Sequence, residues 1–430
     1  MAKKIYNCAD ALQFLKNKDN NSDIVFITIS KYAKTQQGYD ELKALLDVEP
    51  NGDIVSGYYE IEQVGDTNGV VIGTKVYVMV DELSPSVILK VDIPANTEFD
   101  LTYYWKWDVT GNENLGVDWG DGNVVDEMQH TYAENYVGEI KIYNKSIIFS
   151  HARQCDYVTE IHFEKPQILE LTHLFFAYFP NLKKISGAVI VGECAPQPLP
   201  RNFFRSDKSL ESLNGFCLVL KENEKLSTLE TFAYDSNIDN LLLSQLSLVN
   251  FDKNAVTNYK HAFANTSIKT IPTKLVGKNG VDFENAFSNS KIVGIPSWLL
   301  ANCENGMNAF LGCSDLTAVG NGISLSKLKN GHDMFSCTNL NYVQSKKIYD
   351  GLPQLEQQPA VPSNRNDTSD GHIMFNLNDG DEKKIAEIFE IPSINPVTGN
   401  PWVGGKNIPL VERGEFWISP KNWWITFANN

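Results

Sequence analysis

Histidine, cysteine and carboxylate side chains carry most protein chemistry, and in this 430-residue chain they are scattered rather than clustered. The seven histidines are His130, His151, His162, His173, His261, His332 and His372, and none has a second His or Cys at the spacing that a metal or a Cys–His nucleophile pair needs. His261 and His332 each stand just before a phenylalanine, Phe263 and Phe335, so both read as positions in a repeat. The seven cysteines are Cys8, Cys155, Cys194, Cys217, Cys303, Cys313 and Cys337. They form no C-x-x-C, and an odd number cannot all pair, so the expectation is reduced and mostly buried thiols. No nucleophile elbow, zinc-protease helix or dinucleotide-binding glycine pattern occurs. Gly69–Lys75, GVVIGTK, misses a phosphate loop because Thr74 separates Gly73 from Lys75, and it reads as a turn between strands. Asp118 and Asp121 could contribute to a calcium site, yet two carboxylates fall short of the usual set of about six to eight oxygens. Carboxylate pairs for glycoside hydrolysis need only meet in space, and 53 acidic residues supply many pairs. The chain is nevertheless read as non-enzymatic, with no catalytic, cofactor-binding or metal-ligating residue and no cofactor.

The formal charge of −16 opposes a nucleic-acid partner, since phosphate binding needs a net basic patch and no run of Lys and Arg supplies one. The opening residues, MAKKIYNCADALQFLKNK, lack the apolar stretch and small-residue cleavage site of a Sec-type signal. No apolar run approaches the length that spans a bilayer, so membrane insertion is not expected.

The positioning elements appear as a repeat. An aromatic, then an apolar residue five or six positions on, then another three further along, recurs seven times. The copies are Phe176…Leu182…Ile185, Phe204…Leu210…Leu213, Phe232…Ile238…Leu241, Phe263…Ile268…Ile271, Phe287…Ile292…Ile295, Phe310…Leu316…Val319 and Phe335…Leu340…Val343. Anchor spacings run from 23 (310 − 287) to 31 (263 − 232) residues, the length of one supersecondary unit. Each unit has too few apolar side chains to close its own core, so the units must stack, each aromatic covering the one before.

Five blocks follow: residues 1–95, 96–145, 146–349, 350–371 and 372–430. In the first, CADALQFLKN and GYDELKALLDV read as helices, and DIVFITIS, GYYEIEQV, KVYVMV and SVILKVDI as strands, an α+β domain suited to anchoring. In the second, Gly120 and Gly122 can take positive φ in a tight turn, and Trp119 reads as a core plug. Residues 146–164 read as a cap on the repeats. Residues 350–371, rich in Pro, Gln, Asn, Ser and Asp, read as a linker. In the last block DEKKIAEIFEI reads as an amphipathic helix and GEFWISPKNWWITFANN as two strands about a turn. Trp402, Trp417, Trp423 and Trp424 read as a terminal core or cap, with a docking or sugar-stacking surface as the alternatives.

Slices such as NAFLGCSDLTAVG and DMFSCTNLNYV resemble the BspA-type leucine-rich repeat of bacterial surface proteins. Cys313 and Cys337 match the Cys of that repeat, and Tyr178, Asp207, Asp235, Asn265 and Asn289 stand near its place in other copies. Val117-Asp118-Trp119-Gly120-Asp121-Gly122, then His130-Thr131-Tyr132, then Gly138, resembles the PKD-type immunoglobulin-like sandwich. The resemblances imply a multidomain α+β and β chain: an N-terminal α+β domain, a PKD-like β-sandwich, a leucine-rich-repeat solenoid and a small C-terminal region. They imply a non-enzymatic structural or adhesion protein, preferred here as a tail-, fibre- or capsid-associated component of a phage virion. A bacterial cell-surface adhesin is the first alternative, and a lectin or glycan-active enzyme the second. The expected partners are other virion or surface proteins, a host receptor or glycan, and further copies of the chain in a symmetric homo-oligomer.

Overall fold

The computed structural model describes residues 5–6, 15, 24–29, 36–49, 52–61, 74–80, 85–104, 116–120, 124–125, 127–143, 154–169, 176–191, 202–220, 225–357, 359, 371–377, 382–396, 398–402, 408–410 and 415–429. Strands and turns dominate and helices are few. Among the described residues no helix is long and apolar enough to cross a membrane.

At the N-terminus, strands Ile5–Tyr6, Val25–Ile29, Lys75–Val80 and Gly57–Glu60 form a four-stranded sheet in that spatial order. The helix Gln36–Leu45 accompanies it, and Leu42, Leu45, Ile27 and Val78 share one buried cluster. The expected helix at CADALQFLKN lies outside the described residues except Leu15, which is buried. The other face of this sheet is covered in part, with Phe26 left 49 % exposed. Tyr77 packs on Ala188, Cys217, Val219 and Val249, with Ile24, Tyr58 and Met79 around it, so the sheet seats on the strands that follow.

Those strands belong to a single eight-stranded sheet. Its spatial order is Ser247–Val249, Phe216–Leu220, Lys184–Val191, Val158–Leu169, Val87–Ile93, Tyr136–Tyr143, Gly116–Asp118 and Val124–Val125. The first four pair in parallel and the rest antiparallel. Val87–Ile93, read from sequence as the close of block 1–95, is therefore hydrogen-bonded to Tyr136–Tyr143 on one edge and to Val158–Leu169 on the other. Its apolar side chains alternate inward, and partners on both edges take up its backbone N–H and C=O groups. Residues 158–164, expected as a cap, form the strand that joins the antiparallel half to the parallel half. A second, two-stranded ladder of Thr97–Asp100 with Gln129–Tyr132 supplies Phe99 and Tyr132 to the same core. Trp119 fills that core as expected: it is 5 % exposed, its indole N–H donates to Glu127 O at 3.2 Å, and it stacks on His130 at 5.5 Å. Gly120 takes φ +108°, and a Cβ there would overlap the Tyr136 ring, so no larger residue fits the turn.

From Phe176 onward the backbone repeats itself. Single parallel bridges join Thr228 to Asn258, Asn258 to Asp282, Asp282 to Asn305 and Asn305 to Asn330. Each of these side chains also accepts a hydrogen bond from the N–H two residues on, at 2.9–3.2 Å, which turns the chain at the same step in every unit. The rings of Phe263, Phe287, Phe310 and Phe335 stack with centroids 5.3–5.8 Å apart and planes within 11°. One apolar core runs from Val87 to Phe427.

Two left-handed residues four apart frame each turn: Asn202 and Ser206, Thr231 and Asp235, His261 and Asn265, Asn285 and Asn289, Asn308 and Gly312, Asp333 and Cys337. These, with the ladder bonds Phe204 N–H to Phe232 O and Ala233 N–H to Ala262 O, correct the repeat register in three places. Ala233, not Phe232, stands where Phe204 and Phe263 stand, and Phe232 stacks on Phe203 at 5.5 Å. Cys337 is left-handed and exposed, whereas Cys313 follows the left-handed Gly312 and is buried, so the two cysteines occupy adjacent positions rather than one. His261 is left-handed, while His332 precedes the left-handed Asp333 and points inward.

The last described block continues the ladder through a bridge from Gly331 to Ile373. Strands His372–Leu377, Trp424–Asn429 and Trp417–Ile418 form a three-stranded sheet, and the helix Glu382–Phe389 buries Ile385 and Phe389 as expected. Trp402, Trp417, Trp423 and Trp424 are all buried, none more than 3 % exposed, so they build a terminal core and offer no stacking platform. Their N–H groups also account for the segment read as a linker. Trp423 donates to Pro353 O and Trp424 to Pro359 O, and Lys421 Nζ donates to the carbonyls of Tyr349, Asp350 and Leu352. Buried indole donors need acceptors, and the described residues of 350–359 supply them.

Candidate recognition surface

The repeated units differ most where each leaves its turn, and the difference is local chemistry. At the step occupied by Lys269, Val293 and Thr317 the chain runs on into short extended segments, Gly294–Ile295 pairing in parallel with Ala318–Val319. Pro272 and Pro296 stand three residues on and bias Ile271 and Ile295 toward extended backbone and away from helix. At the same step Asp239 and Asn341 cap helices instead. Asp239 Oδ1 accepts from Leu242 N at 2.8 Å, and Asn341 Oδ1 from Val343 N and Gln344 N at 3.0 and 3.1 Å. The helices Asn240–Gln245 and Tyr342–Gly351 result. This corrects two of the apolar pairs read from sequence: Leu241 is 68 % and Val343 45 % exposed, and Leu242, Leu243, Ile348 and Tyr349 bury in their place.

Between these helices three units form a shallow apolar hollow of about 440 Å³. It is lined by Ile271, Ile295, Val319, Pro296 and Trp298 with the small residues Gly294, Ala318 and Gly320. Leu241 and Val343 mark the same step at either end of the row. Lys347 Nζ lies 3.4 Å from Val319 O, and Lys274 Nζ 2.8 Å from Ser244 O. A second, more polar hollow of about 500 Å³ lies between the N-terminal sheet and the units, lined by Tyr58, Glu60, Lys75, Phe251, Asp252, Lys253 and Lys274. Burial, with Glu60 beside it, holds the Tyr58 hydroxyl far above the usual phenol range.

The residues singled out for chemistry are mostly structural. Asp118 Oδ1 accepts from Gly120 N at 2.9 Å and so builds the turn; Asp121 lies outside the described residues, as do Gly69–Gly73 and Cys8 and Cys194. All of the five described cysteines but Cys337 are buried, and burial pushes the thiols of Cys155 and Cys217 up to about 12. Among the described residues no group of three or more His, Cys, Asp and Glu could hold a metal ion.

One arrangement escaped the sequence reading. His332 and His372, 40 residues apart, meet in the interior with their Nδ1 atoms 3.1 Å apart, and His332 Nε2 lies 3.2 Å from Asp333 Oδ2. Hydrogen bonding to His332 holds the Asp333 carboxyl below its usual range despite burial. The pairing of Gly331 with Ile373 and the Gly371 N–H donated to Lys329 O bring these rings together, and no local spacing announces it. No family model, curated protein or solved structure matches the chain.

Proposed function

We propose that this chain is a non-enzymatic structural and adhesion protein of a phage virion, a leucine-rich-repeat-like solenoid entered through a PKD-like sandwich and used as a binding surface. The observation that carries the reading is the stack of like units with the apolar hollow across three of them, between Leu241 and Val343. A stack of this kind spreads its side chains over a long face rather than converging them on a reacting atom. The Ile271–Ile295–Val319 row with Trp298 offers a centre of the sort that partners bury, an aromatic among aliphatics. The N-terminal sheet, seated on the strands Lys184–Val191, Phe216–Leu220 and Ser247–Val249, would serve as the anchoring end.

Mass spectrometry of purified phage particles tests the proposal. Recovery of the chain at tens of copies per particle would support it, and Trp298→Ala, which leaves the backbone ladder intact, should then weaken retention of whatever partner the hollow covers. Absence from particles, with the chain found instead on a bacterial envelope, would refute the virion reading in favour of a cell-surface adhesin.

A further inference from the structure

Four side chains on consecutive units form one row near the first turns of the stack. The Arg205 guanidinium lies 5.7 Å from the ring centroid of Tyr178 on one side and 5.1 Å from that of Tyr234 on the other, and Tyr234 meets His261 edge to face at 5.8 Å. One Nη1–H of Arg205 donates to Asn202 Oδ1 at 3.0 Å. Its Nε–H is buried, and among the described residues it has no acceptor and no carboxylate forms an ion pair with the guanidinium. The neighbouring acids are otherwise engaged: Asp235 is paired with Lys208, and Glu284 with Lys260 at 2.9 Å.

An arginine held by two rings, in a chain of charge −16, would ordinarily find one of 53 acidic side chains. Here two rings and an amide fix its plane, and donors are left unused. A guanidinium presents its donors in a planar fork that matches a carboxylate, and cation–π contact pre-orders that fork. We infer that the Tyr178–Arg205–Tyr234–His261 row is a binding site for a carboxylate-bearing sugar, a hexuronate, whose carboxylate Arg205 receives and whose hydroxyls meet Asn202, His261 and the tyrosine edges.

The backbone favours a sugar over an acidic peptide strand. Along this row Tyr178 N–H donates to Arg205 O, Ser206 N–H to Tyr234 O and Asp235 N–H to Ala264 O, so these ladder groups are consumed between units. Strand addition needs free backbone groups, and a saccharide needs only side chains. The inference deepens the proposed role of the units as a recognition face and rests on that reading. The tests separate: a chain present in virions that binds no uronate loses only this site, and uronate binding by a chain absent from virions loses only the virion assignment.

The test is a titration of the full chain with tri-galacturonate at low salt, followed by the NMR signal of the Arg205 Nε–H and by calorimetry. Maltotriose serves as the neutral control and glutarate as a carboxylate without a sugar. The expected result is a saturable shift of the Nε–H with a dissociation constant of about 1 mM or tighter, and no response to maltotriose. Arg205→Lys, a point charge without the fork, should weaken binding by about tenfold or more, its folding verified by thermal melting. The wild-type signal needs no variant to fold. Absence of a saturable shift, or undiminished binding by folded Arg205→Lys, overturns the site; glutarate binding as tightly as tri-galacturonate overturns the sugar assignment in favour of an acidic protein side chain.

Discussion

Asp207 is the unit residue whose replacement most sharply tests the packing described above. It is fully buried; Oδ1 accepts from Phe179 N at 3.2 Å, and Oδ2 has no partner among the described residues. Equivalent positions in the next units hold Ser236, Thr266, Ser290, Cys313 and Thr338, of which Ser236, Thr266 and Thr338 return their hydroxyl to the carbonyl three residues back at 2.7–2.8 Å. Burial raises the Asp207 carboxyl well above its usual range, and the one backbone hydrogen bond only partly opposes this. The folded chain therefore keeps a proton that the unfolded chain releases above about pH 4. Unfolding then releases a proton, so stability falls as pH rises from there to the folded pKa, with a slope approaching the one-proton limit of about 1.4 kcal/mol per pH unit. Asp207→Asn keeps an oxygen for Phe179 N and cannot ionise. Near pH 3.5 variant and parent should agree within about 1 kcal/mol, because both are then neutral. At pH 7 the variant should be the more stable by more than about 1.4 kcal/mol, the worth of a single pH unit of difference. Urea unfolding of both proteins across that range reads the difference directly and cancels the other carboxylates. Parallel profiles, or a variant weaker at pH 7, would refute the assignment of a neutral buried acid.

Other outcomes follow from the same geometry. Phe310→Ala removes a ring sandwiched between Phe287 at 5.3 Å and Phe335 at 5.8 Å and should cost about 3–5 kcal/mol in chemical denaturation, whereas loss of less than about 1 kcal/mol would mean the column is not packed as described. Lys421→Met deletes the three donations that hold the C-terminal end of the helix Tyr342–Gly351, and thermal melting should show a loss of about 1–3 kcal/mol. Gly120→Ala, forced into φ +108° and against Tyr136, should destabilise by about 2 kcal/mol or more in the same assay. Brief maleimide labelling of the native chain with peptide mapping should modify Cys337 and spare Cys155, Cys217, Cys303 and Cys313 until denaturant is added.

Local chemistry was legible where it decides structure within a few residues. The stretches at Lys75–Val80 and Val87–Ile93, the helix Glu382–Phe389 and the turn at Gly120 all follow from apolar alternation, amphipathic period or a glycine that no other residue can replace. The repeat was legible as a period, because each unit must present an aromatic and two aliphatics to its neighbours. The register was not: Phe232 and Ala233 differ only in which of two adjacent inward positions carries the ring, and Phe203 across the ladder selects between them. The Leu241 and Val343 positions were misread because a pair of apolar residues three apart does not by itself separate a bend into a strand from a helical turn, and the caps Asp239 and Asn341 select the helix. The row at Arg205 left no signal, since Tyr178, Arg205, Tyr234 and His261 are 27 to 29 residues apart and only stacking makes them neighbours.

By itself, the sequence determined that this chain is built from short β elements and repeated units, and that its odd number of cysteines cannot all pair with one another. Those properties are written in composition and in spacings shorter than one unit, where covalent connection holds residues close. Tertiary structure alone decided that the antiparallel strands and the stacked units share one sheet through Val87–Ile93, that the terminal tryptophans are core, and that His332 meets His372. Each depends on backbone pairing between segments tens of residues apart, and the free energy that selects such a pairing resides in the contact surface rather than in either segment.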